Sequence, residues 1–150
     1  MYRLAAQQDV PAVAVLACEL WPDHTPEEMA AEFSDMLLNG DSAIVVYDAG
    51  DAGCTAFAQC GLRHDYVEGT ETSPVGYLEG IYVRPEYRHR GVAAGLLAVC
   101  EEWAAQQGCT EFASDCELDN VQSLRFHLHH GFEEANRIIC FTKKLRREKA

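Results

Sequence analysis

The fold of this chain is decided by residues 80–94, which read Gly80-Ile81-Tyr82-Val83-Arg84-Pro85-Glu86-Tyr87-Arg88-His89-Arg90-Gly91-Val92-Ala93-Ala94. The β-branched and aromatic residues at the start predict the end of a strand, and the proline stops it. After the glycine, apolar residues recur with helical spacing. The stretch therefore predicts a strand, a tight turn and the N-terminus of a helix.

This turn is suited to binding a phosphate or pyrophosphate group. The first amides of a helix have no partner within the helix, and the helix dipole makes that end attractive to anions. Gly91 lets a ligand approach the main chain, and the small side chain of Ala93 keeps the approach open. Neither a Walker loop nor a Gly-x-Gly-x-x-Gly dinucleotide loop occurs in the sequence.

Two helices are predicted before this stretch. One runs from its cap, Asp9, to about Leu20. The other begins at a capping box, in which the Thr25 hydroxyl and the Glu28 carboxylate each accept from the other residue's amide, and it runs to about Leu38.

Strands follow the second helix, which Gly40 ends in a left-handed conformation. The turn at 51–53 predicts a hairpin, and the polar loop at 63–74 is longer than a hairpin needs. Patterning predicts strands at residues 2–4, 43–47, 54–62 and 75–83.

The C-terminal part predicts two helices and two strands. The elements are a helix at 92–107 closed by Gly108, a short strand at 111–114, a helix capped by Asp119 and ending at Gly131, and a last strand at 137–144. Residues 143–150 are expected to form a frayed basic tail.

Length and composition predict a single domain over residues 1–150, with 48% apolar and 24% charged residues. The N-terminus has no apolar run of the kind a signal peptide or membrane span needs, which favours a soluble cytoplasmic protein. The seven cysteines are odd in number and show no Cys-x-x-Cys spacing, so we expect reduced, mostly buried thiols.

The net charge of −12 makes nucleic acid and anionic membranes poor partners and favours a cationic ligand. Acidity that only keeps the protein in solution is the alternative explanation. No metal is expected, because the histidines at 127, 129 and 130 have no second group of ligands at suitable spacing.

The turn resembles that of the GNAT acetyltransferase superfamily, whose pattern is Arg/Gln-x-x-Gly-x-Gly/Ala after a strand ending in Val-x-Pro. Val83, Pro85, Arg88, Gly91 and Ala93 match it. The resemblance implies an α/β (α+β) GNAT fold, with a central mixed, mostly antiparallel, splayed sheet flanked by about four helices. It implies acetyl-CoA as cosubstrate, held by Ile81, Tyr82, Val83, Arg88, His89, Arg90, Gly91, Val92, Ala93 and Ala94.

A second part of the GNAT pattern lies in the last helix. Members of the superfamily carry an Asn that contacts the coenzyme and, seven residues later, a hydroxyl-bearing residue before a Gly-Phe pair. Asn120, His127, Gly131 and Phe132 keep that spacing, and 120 and 127 face the same way on a helix. His127 stands where Tyr is usual, so the imidazole either protonates the departing thiolate or only packs.

The chain more closely resembles the aminoglycoside 6′-N-acetyltransferases, through words such as those at 19–22, 63–69, 78–83, 113–115 and 131–134. The resemblance implies transfer of acetyl to an amino group of an aminoglycoside antibiotic. Ionised carboxylates suit such a polycation. In a GNAT sheet, Glu79 and Asp115 approach the splayed centre, while Asp65, Glu68 and Glu71 can line the loop.

Acetyl transfer needs a neutral amine, so a carboxylate must help to remove a proton. Glu79 is the first candidate and Asp115 the partner that orients the amine, although the two roles can be exchanged. The backbone amide near Val83 is implied to polarise the thioester carbonyl. Cys116 is expected to be an incidental thiol, since no covalent intermediate is needed.

The resemblance places three more residues at the acceptor. Trp21 and Tyr66 would wall the sugar cleft, with a place in the core as the alternative for each. Asn136 stands where related enzymes often carry an acidic substrate contact. The resembling enzymes are commonly homodimers. Two other functions remain open: a GNAT enzyme acting on another amine, such as a polyamine, a metabolite or a protein N-terminus, and a non-catalytic module that binds acyl-CoA or drugs.

Overall fold

The computed structural model describes residues 1–146. The chain divides into two compact units, Met1–Asp115 and the part that begins at Cys116. The predicted single domain over 1–150 stays a prediction. The end of the expected frayed tail, residues 147–150, lies outside the described residues.

The first unit is built on a five-stranded sheet in the order β1-β2-β3-β4-β5. Neighbouring strands are antiparallel except for β4 and β5, which run parallel, so the predicted mixed, mostly antiparallel sheet is confirmed. The strands are β1 (Tyr2–Leu4), β2 (Ser42–Asp48), β3 (Cys54–Arg63), β4 (Val75–Val83) and β5 (Phe112–Ala113).

Two irregularities of β4 shape the centre of the sheet. Its pairing with β5 covers only Gly76 and Tyr77, so that the rest of β4 runs on without β5 beside it. On its other side, Gln59 pairs with Gly80 and Cys60 with Leu78, which leaves one extra residue, Glu79, on β4. Such a bulge re-aims side chains, and bulges are common next to active sites.

Three helices belong to the first unit, and a fourth lies in the second. They are α1 (Val10–Leu20), α2 (Pro26–Met36), α3 (Val92–Gln106) and α4 (Val121–His129). The capping box of α2 is present as predicted. The core between α1, α2 and the sheet contains fully buried side chains from each, including Leu16, Phe33, Ile44 and Phe57.

Two predicted helix ends are wrong. Asp9 precedes α1 but does not cap it, because its carboxylate accepts from the Arg3 guanidinium at 2.6 and 2.9 Å and from the Ala6 amide at 2.8 Å. The Arg3 hydrogen bond is the main cause of a lowered Asp9 pKa. Gly40 is not left-handed: α2 ends at Met36, before Gly40 is reached.

In the second unit, α4 begins one residue later than predicted. Asn120, not Asp119, is the N-cap, and its Oδ1 accepts from the Ser123 amide at 3.1 Å. The predicted last strand at 137–144 is wrong, because a strand needs a neighbour to pair with and the described residues give this segment none. Its apolar side chains are exposed, with Ile139 at 80% and Phe141 at 86%.

Candidate active site

The turn between β4 and α3 has the geometry that its sequence predicts. Gly91 is the N-cap of α3 and has a left-handed backbone, with φ 79° and ψ 8°. A Cβ built on it would meet no atom within 4 Å, so the main chain is open to a ligand here. His89 also has a positive φ, 62°, which side-chain-bearing residues adopt at a cost and which is often found at functional turns.

The end of β4 and the turn are held in place by hydrogen bonds and by one ion pair. Arg88 donates through Nε to the Val83 carbonyl at 2.7 Å, and the Arg84 amide donates to the Thr55 carbonyl at 3.0 Å. Arg84 also pairs with Glu19 on α1, at 3.0 Å between Nη2 and Oε2. The predicted coenzyme residues of the first unit therefore form one braced segment, composed of Ile81, Tyr82, Val83, Arg88, His89, Arg90, Gly91, Val92, Ala93 and Ala94.

Glu79 lies at the β4 bulge with about a third of its side chain exposed. Arg63, at the end of β3, contacts both of its carboxylate oxygens: Nη2 lies 2.8 Å from Oε1 and 3.0 Å from Oε2, and Nε lies 3.1 Å from Oε1. Glu79 thus has a partner within the protein and still faces solvent. Partial burial lowers the Arg63 pKa, but the hydrogen bond to Glu79 and nearby negative charge outweigh it and raise the pKa.

Asp115 is joined to the same cluster through Tyr77. The Tyr77 hydroxyl donates to Asp115 Oδ2, and the Arg63 guanidinium carbon lies 3.8 Å from the centre of the Tyr77 ring. Burial, followed by the hydrogen bond to Asp115, raises the Tyr77 pKa, so this phenol stays a neutral donor. Glu79 and Asp115, predicted to approach the same centre, are therefore connected through Arg63 and Tyr77.

Trp21 packs against the core and against β4 next to Glu79. Its ring packs edge-on against Phe57, with 6.2 Å between centroids, and a Cβ built on Gly80 would lie 2.6 Å from it. Trp21 therefore covers β4 one residue after Glu79, and its role as a wall of the sugar cleft stays a prediction. Tyr66 is 75% exposed, so its predicted alternative place in the core is wrong.

The acidic loop after β3 is held by hydrogen bonds to Glu111, the residue just before β5. Glu111 Oε1 accepts from the amides of Glu71 and Thr72 at 2.9 and 2.8 Å and from the Thr72 hydroxyl. The Thr72 hydrogen bond is the main cause of a lowered Glu111 pKa. The loop side chains Asp65 and Glu68 are exposed.

Three predicted site residues lie in the second unit. Asn120 caps α4 with the side chain that the resemblance assigns to the coenzyme. His127 Nδ1 lies 2.7 Å from the Ser123 carbonyl, which can only accept, so Nδ1 carries the proton and Nε2 is the acceptor in a neutral imidazole. Asn136 Oδ1 accepts from the Arg137 amide at 2.8 Å and is exposed.

Sequence reasoning missed the residues that connect the predicted carboxylates. Arg63 and Tyr77 received no role, although residues 77 and 79 alternate on a strand and so were candidates for one face. Glu111 and the pair of Glu19 with Arg84 were missed because their partners lie 39 to 65 residues away. Residues 1–146 contain no group of three or more residues that could hold a metal, and no helix among them is long and apolar enough to cross a membrane.

Comparison with known proteins agrees with this arrangement. The model of the acetyltransferase (GNAT) family matches residues 10–132. A left-handed glycine at an open helix N-terminus suits a phosphate-bearing ligand. The chain belongs to the GNAT acetyltransferase family.

Relatives of similar length indicate one group within the GNAT acetyltransferases. The aminoglycoside N(6′)-acetyltransferase type 1 of Serratia marcescens is 39% identical and covers 97% of this chain and 99% of its own. The enzyme of that name from Stenotrophomonas maltophilia is 41% identical, covering 95% and 92%. Within the family, this chain groups with the aminoglycoside 6′-N-acetyltransferases.

Solved structures have the same fold. AAC(6′)-Iy, in complex with the bisubstrate analogue CoA-S-monomethyl-acetylneamine, has a TM-score of 0.91 at 35% identity, covering 97% of this chain and 98% of that one. The aminoglycoside 6′-N-acetyltransferase AAC(6′)-Ih from Acinetobacter baumannii also has a TM-score of 0.91, at 36% identity and the same coverage. The predicted GNAT fold is therefore confirmed.

Proposed function

We propose that this chain transfers the acetyl group of acetyl-CoA directly to the 6′-amino group of an aminoglycoside. The observation that carries the proposal is the pair of carboxylates, Glu79 on β4 and Asp115 two residues after β5. The strand β4 leads into the open turn at Gly91. A donor site for a pyrophosphate and an acceptor site for a cation thus lie along one stretch of chain. The names of the relatives point to the same reaction.

The turn fits coenzyme A. Its pyrophosphate would meet the first amides of α3 beside Gly91, where no side chain intervenes. The cosubstrate supplies an acetyl group as a thioester, which is reactive toward a neutral amine. The main-chain amide near Val83 would stabilise the negative charge that develops on the carbonyl oxygen.

Glu79 serves as the base in this proposal. Glu79 first takes one proton from the bound ammonium, directly or through water. The neutral nitrogen then forms a bond to the acetyl carbon, the bond from that carbon to sulfur breaks, and the second proton of the nitrogen passes to water. Asp115, fixed by Tyr77, orients the amine. His127 returns a proton to the thiolate, which it can do as an imidazolium with Nε2 protonated, because Nδ1 is committed to Ser123.

Charge favours a polycationic acceptor at the first unit. Residues 1–115 contain 19 acidic and five basic side chains, a net charge of −14, whereas the whole chain has −12. Such a field attracts cations and speeds their encounter. Trp21 and Tyr66 supply flat rings for sugar faces, and Asn136 is a third proposed contact to the drug. Asn120 is the proposed contact to the coenzyme.

The reaction is tested by mixing purified protein with acetyl-CoA and following free thiol. We expect release with kanamycin-type drugs and little with spermidine or peptides, and mass spectrometry should place one acetyl group on the 6′ amine. Thiol release with peptides but not with drugs would overturn the choice of acceptor. A crystal structure with coenzyme A and the drug bound would test the assignments of Asn120, His127, Asn136, Trp21 and Tyr66.

We also propose that the protein works as a homodimer in the cytoplasm, where acetyl-CoA is at hand. The homodimer is supported by the segment at 137–141, which has no strand partner in the described chain. Its side chains Ile138, Ile139 and Phe141 are 68 to 86% exposed. Exposed clusters of this kind mark interaction surfaces. Sedimentation equilibrium should give twice the mass of one chain, and replacing Ile139 and Phe141 with serine should give the monomer. A wild-type monomer at micromolar concentration would contradict the proposal.

A further inference from the structure

Arg63 is hydrogen-bonded to Glu79, the carboxylate that is proposed to take a proton from the acceptor. Its guanidinium makes three contacts of 2.8 to 3.1 Å and engages both oxygens of Glu79. A guanidinium bound in this fork takes the lone pairs of both oxygens that face it and leaves only the outer ones for a second cation. An incoming ammonium group must therefore share Glu79 with Arg63 or displace it.

The structure makes displacement easy. The side chains of Arg63 and Glu79 are 45% and 33% exposed, and ion pairs with this much exposure contribute little to stability. In the same position the guanidinium also lies over the Tyr77 ring, 3.8 Å from the centroid, where cation–π attraction holds it. Arg63 thus has a second contact, with Tyr77, that does not depend on Glu79.

We propose that Arg63 exchanges with the acceptor ammonium at Glu79, so that it opposes substrate binding and favours product release. This inference rests on the proposed function of Glu79. Acetylation turns the bound amine into a neutral amide, which cannot compete with a guanidinium for a carboxylate. Arg63 then returns to Glu79 and takes the place of the product.

The test measures drug binding calorimetrically in the presence of coenzyme A, which permits no turnover. Arg63→Met keeps an apolar stem over Tyr77 and removes the charge. We expect the Kd for both kanamycin and its 6′-acetylated product to fall about three- to fivefold, which corresponds to loss of a half-exposed ion pair. Coenzyme binding should not change, and the slower release of product should show as stronger product inhibition.

A double-mutant comparison separates exchange from a general change in charge. In a Glu79→Gln background there is no ion pair to break, so Arg63→Met should leave the drug Kd unchanged. Arg137→Met is the matched control, because it removes another arginine that is paired with an exposed glutamate, Glu134. It should not tighten drug binding. Arg63→Lys, with a charge but no fork, serves as a second variant if thermal melting shows that the methionine variant is destabilised.

Three outcomes would overturn the inference: weaker drug binding by Arg63→Met, which would make Arg63 an acceptor contact; unchanged binding; or equal tightening in the Glu79→Gln background. The proposed function fails separately. If the wild-type protein acetylates no aminoglycoside, or if Glu79→Gln turns over at the wild-type rate, then the acceptor or the base is wrong whatever Arg63→Met does.

Discussion

Replacing Glu79 with glutamine is expected to lower turnover about 10²- to 10³-fold, while the affinity for coenzyme A changes by less than about twofold. The amide keeps the size of the side chain but cannot accept the proton that the amine must lose. The Glu79 carboxylate is hydrogen-bonded to Arg63, to which no coenzyme contact is assigned, so the coenzyme site should keep its shape. Steady-state kinetics and coenzyme binding by calorimetry measure the two effects.

Glu102→Gln is the control for this change. It removes the same charge from an exposed position on α3 to which no role is assigned. We expect kcat and both KM values to stay near the wild-type values. Near-normal turnover by Glu79→Gln would remove Glu79 from the role of base and leave Asp115 as the candidate.

A second large effect is expected from Gly91→Val, which should raise the KM for acetyl-CoA at least about tenfold with little change in the KM for the drug. Gly91 has φ 79°, a conformation that costs a residue with a side chain about 1–2 kcal/mol and is worst for β-branched residues. The turn would have to change shape or hold a branched side chain where the pyrophosphate is proposed to lie. Either change removes part of the coenzyme site.

Gly108→Val provides the matched control. Gly108 follows the end of α3, has φ 95° and, like Gly91, would place a Cβ in open space. The two substitutions therefore impose similar backbone strain, and both should lower the midpoint of thermal unfolding. Only Gly91→Val should weaken coenzyme binding. An equal loss of coenzyme affinity in both variants would mean that strain, and not the turn, is responsible.

The regular elements of the first unit could be predicted because their signals are local. The strand at 75–83 and the capping box of α2 come from periodicity and from neighbouring side chains. The role of Asp9 could not be predicted from its neighbours in sequence. Aspartate is a common N-cap, but Arg3 on β1 binds this carboxylate more strongly than the helix amides do. Two hydrogen bonds from a guanidinium to a carboxylate outweigh a cap bond from a neutral backbone amide.

From the sequence it was possible to predict the turn at Gly91, the GNAT fold and two candidate acids, Glu79 and Asp115, because short motifs and strand patterns depend on neighbouring residues. Tertiary structure alone decided how those acids are held. Arg63 reaches Glu79 across 16 positions and Tyr77 reaches Asp115 across 38. Such contacts depend on the register between β3 and β4 and on the bulge at Glu79, which is set by packing of the whole sheet.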